Sequence, residues 1–116
     1  MSVNDDLETA LQPIKYMLAF YIGGMGAKKQ NFHANLVRRM GYGDAVDRIQ
    51  EFFITGRRDE AAAAVPDEFA DAISLCGSPE RIRDRLAAWD ESAVSTLLVY
   101  SPGGPEALRQ LAEILL

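Results

Sequence analysis

Ser95-Thr96-Leu97-Leu98-Val99-Tyr100 is an unbroken run with no polar alternation, and the turn residues Ser101-Pro102-Gly103-Gly104-Pro105 follow it. Runs of this kind suit a strand buried on both faces of a parallel sheet. Upstream, Ser78-Pro79-Glu80 combines an N-cap, a proline at the first helical position and an acid, a strong helix start. The helix it opens carries Ile82, Leu86 and Trp89 as its inward stripe. Beyond the turn, Leu108, Leu111 and Leu115 mark a last helix facing inward. The ending thus reads helix–strand–loop–helix. A buried strand needs neighbours, because its N–H and C=O groups cannot stay unpaired in a core. The remaining candidate is the brief extended stretch Ile73-Ser74-Leu75-Cys76. The fold class is therefore mainly α with one or two short strands, and strand partners are expected from elsewhere.

The residues before this ending are helical in pattern. Leu7, Leu11, Ile14, Leu18 and Tyr21 follow one another at spacings of four, three, four and three, one face of an amphipathic helix. Pro13 lies inside that pattern, so the helix either kinks or begins there. Gly23-Gly24-Met25-Gly26 should end it. A short helix follows over 31–40, with Phe32, Leu36 and Met40 on one face and Gly41 and Gly43 closing it. Asp44 is the expected N-cap of the next helix, which buries Val46, Ile49 and Phe53. Gly56 stands where a C-terminal glycine belongs. Ala61-Ala62-Ala63-Ala64 favours helix, and Pro66 opens a further turn with Asp67 and Glu68 at its N-terminal end.

The 116 residues fit one domain spanning 1–116, and the 48% apolar and 25% charged fractions are those of an ordinary globular chain. A net charge of −5 opposes nucleic-acid binding, which draws its affinity from neutralised phosphates. Arg57-Arg58 is too small a basic patch to change this, and Lys28-Lys29 reads as a solvent-facing pair. No apolar stretch is long enough for a membrane span. The polar, acidic start Met1-Ser2-Val3-Asn4-Asp5-Asp6 is unlike a secretory signal. Together with the single cysteine, Cys76, it places the protein in the cytoplasm.

Several segments resemble, in order and spacing, the C-terminal region of the luciferase-like monooxygenases. They are Ala19-Phe20-Tyr21-Ile22-Gly23-Gly24-Met25-Gly26, Asn31-Phe32-His33, Gly41-Tyr42-Gly43, Val65-Pro66-Asp67-Glu68, Gly77-Ser78-Pro79-Glu80-Arg81-Ile82 and Thr96-Leu97-Leu98-Val99. The resemblance is nearest to the actinobacterial branch that uses the deazaflavin coenzyme F420 and includes relatives of methylenetetrahydromethanopterin reductase. It implies the C-terminal third of a (β/α)8 barrel, a fold that needs about 250 residues. Thr96 to Tyr100 would then be the last barrel strand and Pro105 to Leu116 the last helix. The implied activity is that of a flavin or deazaflavin oxidoreductase, with F420 favoured over FMN. The departure is length: most cofactor and substrate contacts of such a barrel lie outside this chain, which is not expected to catalyse alone. It is expected to form a homodimer or to pair with a complementing N-terminal barrel piece. The alternative is a small helical dimerisation module derived from the same family.

Six residues are the cofactor-site candidates: Tyr21, Gly23, Gly24, His33, Ser101 and Gly103. His33, the only histidine, has an unperturbed pKa suited to acid–base work, or is simply a hydrogen-bonded helix residue. Tyr21, Gly23 and Gly24 read either as the lining of a ring-binding pocket or as plain helix termination. The loop from Ser101 to Gly104 lies between a strand and a helix N-terminus, a common phosphate position in barrels, although no basic residue stands in it. Cys76 reads as a small buried hydrophobe, with no spacing that would make it a nucleophile for His33. One histidine and one cysteine are too few for a metal centre of the usual kind.

Overall fold

The described residues of the computed structural model are 1–27, 30–100 and 104–116, so Lys28-Lys29 and the loop residues Ser101, Pro102 and Gly103 lie outside them. The chain is mostly helical, with two short strands: β1 (Ser2–Val3), α1 (Leu7–Gly24), α2 (Phe32–Val37), α3 (Gly43–Ile54), α4 (Arg58–Ala63), α5 (Asp67–Ala72), β2 (Cys76–Gly77), α6 (Pro79–Asp90) and α7 (Gly104–Leu115). It packs as two compact units, one formed by Met1–Leu11 with Ile73–Leu116, the other by Gln12–Ala72.

In the first unit, Ser2 and Val3 pair in parallel with Cys76 and Gly77. The Ser2 amide donates to the Leu75 carbonyl and the Asn4 amide to the Gly77 carbonyl, at 3.1 and 3.0 Å. The extended stretch near Leu75 thus finds its partner in the N-terminal residues, which sequence reasoning took for a polar start. Leu75, Ile82, Leu111 and Ile114 form the core, with Met1, Val3, Leu86 and Val99 packed around it. Ser78 caps α6 as its sequence indicates, accepting from the Arg81 amide at 3.3 Å. Asp6 caps α1: its carboxylate accepts from the backbone N–H of Thr9 at 3.0 Å and from the Thr9 hydroxyl.

Two expectations fail here. The run from Ser95 to Tyr100 is not a strand. Leu98 is 93% exposed and Tyr100 71%, and no ladder runs along their backbone among the described residues; the Tyr100 carbonyl accepts from the Met1 amino group at 3.2 Å. An apolar run becomes a sheet strand only when neighbours satisfy its backbone, and none stands beside it among the described residues. In α7 and α6 the stripes are narrower than expected. Leu111 and Ile114 are buried, whereas Leu108 and Trp89 are exposed, because one partner helix each covers too little of the surface to take a third residue.

In the second unit, α1 runs unbroken through Pro13 and ends at Gly24. Ile14, Leu18, Ala19 and Ile22 are buried, but Tyr21, expected on the same face, stays exposed. The Lys15 stem is buried and its ammonium reaches Asp67 at 2.6 Å, the usual way a lysine covers apolar surface while keeping its charge paired. The stretch from Asn31 to Met40, made of α2 with its N-cap and the start of the next segment, turns its large side chains outward. Asn31, Ala34 and Val37 are buried, while Phe32, Leu36 and Met40 are 64%, 41% and 50% exposed. Spacing alone does not distinguish the two faces, and the smaller residues won the interior.

Arg38 to Tyr42 is wound as a π-helical segment, broken at Gly41, whose φ of 98° is left-handed and suits glycine. Asp44 lies in the first turn of α3 but does not cap it; Tyr42 occupies the N-cap position without a side-chain bond. The helix therefore starts two residues earlier than the Asp44 expectation. Val46 and Ile49 are buried and Phe53 half-buried. Gly56, at φ 78°, ends α3: its amide donates to the Phe53 carbonyl and the Arg57 amide to the Phe52 carbonyl, the Schellman pattern. Ala61 and Ala62 are fully buried where α4 lies against α3.

Candidate functional site

Of the six site candidates, Tyr21, Gly23, Gly24 and His33 lie in the second unit, and Ser101 and Gly103 fall outside the described residues. Tyr21 and His33 are brought together: their ring centroids stand 4.8 Å apart, inclined at 54°. Phe32 meets the His33 ring edge-on at 5.6 Å and Phe20 meets Tyr21 at 5.7 Å. Phe20, Tyr21 and Phe32 are exposed and His33 is half-buried, so the four rings form a continuous aromatic surface open to solvent. Aromatic faces and edges of this kind pack well against a flat conjugated ring.

The glycines have a different task. A Cβ on Gly23 would stand 2.5 Å from Phe53 Cβ, and one on Gly24 would stand 2.7 Å from Phe53 Cε1. Their missing side chains make room for Phe53, which also carries the Arg58 guanidinium 4.4 Å from its ring centre. That space is already filled by protein, and no ligand needs to approach the backbone there.

Asn31 and Gln50 were not singled out from sequence, yet both are buried and bond the last turn of α1. The Asn31 amide nitrogen donates to the carbonyls of Tyr21 and Ile22 at 3.0 and 2.8 Å, and its oxygen accepts from the Ala34 amide at 3.0 Å. Gln50 donates to the same Ile22 carbonyl at 3.3 Å and accepts from Arg38 at 3.3 Å. Arg38 in turn pairs with Asp47 at 2.6 Å. The available signal for Asn31 was its place just before an apolar helical stretch, where an asparagine commonly caps. Nothing in the local pattern marks Gln50.

A concavity of about 490 Å³ lies at the kink before α3, lined by Gly41, Tyr42, Gly43, Asp44, Ala45, Arg48, Ala64 and Pro66. Tyr42 forms its firm wall, its ring 4.9 Å from that of Phe69. Cys76 is fully buried in the first unit, its sulfur 3.2 Å from the Ser74 hydroxyl. Among the described residues, no three histidine, cysteine, aspartate or glutamate side chains stand close enough to hold a metal ion, and no helix is long and apolar enough to cross a membrane.

A helical scaffold presenting an aromatic surface is a general arrangement, and comparison with known proteins gives it a family. Residues 1–96 match the luciferase-like monooxygenases, and the chain belongs to that family. A Mycobacterium tuberculosis protein named as a coenzyme F420-dependent oxidoreductase is 42% identical over 112 residues, covering 97% of this chain and 32% of its own length. The 5,10-methylenetetrahydromethanopterin reductase of Archaeoglobus fulgidus is 26% identical over 116 residues, covering 96% of this chain and 33% of its own. The chain thus spans about a third of the length of the curated relatives it matches. No solved structure matches it.

Proposed function

We propose that this chain is the C-terminal third of an F420-dependent oxidoreductase barrel and contributes part of the deazaflavin site without completing it. The observation that carries this reading is the 42% identity to the mycobacterial F420-dependent relative along 97% of the chain. The residues present suit the group: Tyr21, His33 and Phe32 offer ring surface to a planar tricycle. Gly23 and Gly24 are dropped from the site, since Phe53 occupies their space. When bound, the deazaflavin carries the hydride, and the protein supplies orientation and shelter from water. In this chain Tyr21 and His33 orient by contact, and Phe20 and Phe32 exclude water at the edges. The loop at Ser101 and Gly103 remains the candidate for the phosphate end. Alone the chain is inactive, because the strands that would carry the remaining contacts are not in it.

Fluorescence titration of the purified chain with F420, and separately with FMN, tests this reading. Saturable micromolar binding of F420 that weakens in Tyr21→Ala supports it. No binding of either coenzyme, also after addition of the N-terminal two thirds of the mycobacterial relative, sinks it.

A second reading is favoured by one specific observation, the apolar side chains of Phe32, Leu36 and Met40 that α2 and the π-helical segment after it turn to solvent. Exposed apolar patches mark interaction surfaces, and a helical dimerisation module would use this one. Light scattering decides: a stable dimer disrupted by Leu36→Lys supports it, whereas a monomer at all concentrations removes it.

A further inference from the structure

Asn31 spends its whole side chain on joining two helices. Its partners fix the amide's orientation, since one end meets a backbone N–H and the other meets two carbonyls. A cap for α2 requires only the oxygen, and serine would provide one. The two donations to the last turn of α1 require the amide nitrogen, and they satisfy carbonyls that the helix end leaves without intrahelical partners. One of those carbonyls belongs to Tyr21, and His33 lies two residues beyond Asn31 in the first turn of α2. The backbone of one ring is therefore bonded directly to the helix turn that carries the other, at a centroid distance of 4.8 Å.

We propose that Asn31 is a positioning residue that holds the His33 imidazole against the Tyr21 ring, presetting the aromatic surface for a planar coenzyme ring. The coenzyme half of this statement rests on the preceding reading; the positioning half does not. Gln50 is the internal comparison. It donates to the Ile22 carbonyl but not to that of Tyr21, so it supports the same end of α1 without touching the ring-bearing residue's own carbonyl. Preset geometry matters because ordering two rings at the moment of binding costs affinity.

His33 is the only histidine, so its ring proton resonances are assigned without ambiguity. Their shifts in the chain without coenzyme report the proximity of the Tyr21 ring. Asn31→Ser keeps a capping oxygen and loses both donations. We expect it to retain helical circular dichroism, to move the His33 shifts toward those of an unstructured peptide, and to weaken F420 binding about tenfold. Gln50→Met should leave the His33 shifts in place. Unchanged shifts in Asn31→Ser, or equal displacement in both variants, overturns the proposal. If Asn31→Ser does not fold, the wild-type chain decides. Slow solvent exchange of the Asn31 side-chain amide protons together with a Tyr21–His33 ring Overhauser effect supports the proposal; loss of either overturns it. Failure of the wild-type chain to bind F420, also after addition of the N-terminal two thirds of the mycobacterial relative, removes the coenzyme reading alone, and the His33 shifts still decide the positioning role.

Discussion

Gly23 and Gly24 show what one missing methyl group does in this chain. Both stand under Phe53, but against different parts of it. Gly23 faces its Cβ and Cγ at 2.5 and 2.6 Å, and Gly24 faces the ring tip, Cε1 and Cζ, at 2.7 and 2.9 Å. Added methyl groups in packed sites cost about 1–3 kcal/mol, offset here by at most about 1 kcal/mol of helix propensity. Gly23→Ala should therefore destabilise the chain, and Gly24→Ala should do so less, since a ring tip yields more easily than a Cβ. Phe53→Leu keeps the atoms that Gly23→Ala meets and removes those that Gly24→Ala meets. Urea unfolding of the two double variants should show rescue for Gly24→Ala with Phe53→Leu and none for Gly23→Ala with Phe53→Leu. Equal behaviour of the pair would mean that Phe53 does not sit where the structure has it. At Gly41, by contrast, a Cβ meets nothing within 4 Å, so Gly41→Ala costs only the left-handed backbone, about 1–2 kcal/mol. The sequence made Gly23-Gly24 legible as a helix end, which is correct. It could not reveal the phenylalanine above them, because that contact joins residues of different helices.

Helix boundaries were the most legible feature, since caps are local chemistry. Ser78-Pro79-Glu80 and Gly56 act as they read, through bonds to residues within a single turn. Faces were less legible. The large residues Phe32, Leu36 and Met40 share a helical stripe, but so do Asn31, Ala34 and Val37, and only tertiary packing selects between them. The cap of α1 went unread because Asp6 stands within an acidic start rather than before an obvious apolar repeat. It is nonetheless the titratable cap with the clearest cause. The Thr9 hydroxyl and then the Thr9 amide, both donating to Asp6, hold its carboxyl below the usual aspartate range. A carboxylate depressed on folding stabilises the folded state above its unfolded pKa, and that contribution is lost as pH falls through the folded value. The start of α1 should therefore loosen below about pH 4, seen as faster amide exchange at Thr9 and Ala10, while Asp6→Asn flattens the dependence. Within the same helix Pro13 removes one amide donor from an exposed, otherwise regular turn. Pro13→Ala is expected to raise stability by about 1–2 kcal/mol, read from the urea midpoint; a fall would show that α1 needs the proline's fixed backbone.

At the scale of the whole molecule, the run from Ser95 to Tyr100 links the fold to the family. Its composition is that of a doubly buried strand, most of it is exposed with Val99 packed against the core, and the chain spans about a third of its relatives' length. These facts agree if strand character is a property of the assembled sheet: the side chains prepare it, and neighbouring backbones complete it. That is also why the sequence indicates a strand here and the structure has none along 95–100: the side-chain pattern is present, and the pairing is not found among the described residues. The consequence is measurable by hydrogen exchange. In the isolated chain the amides of Thr96, Leu97, Leu98 and Val99 should exchange with little protection, whereas Ile82, the buried residue of α6, should be protected to the stability of its unit. Mixing with the N-terminal two thirds of the mycobacterial relative should slow exchange across 96–99 while leaving Ile82 unchanged, because new ladder bonds would form only along the run. Strong protection of 96–99 in the isolated chain would show that the run already has a partner in solution, and its change with protein concentration would tell whether that partner is a second copy.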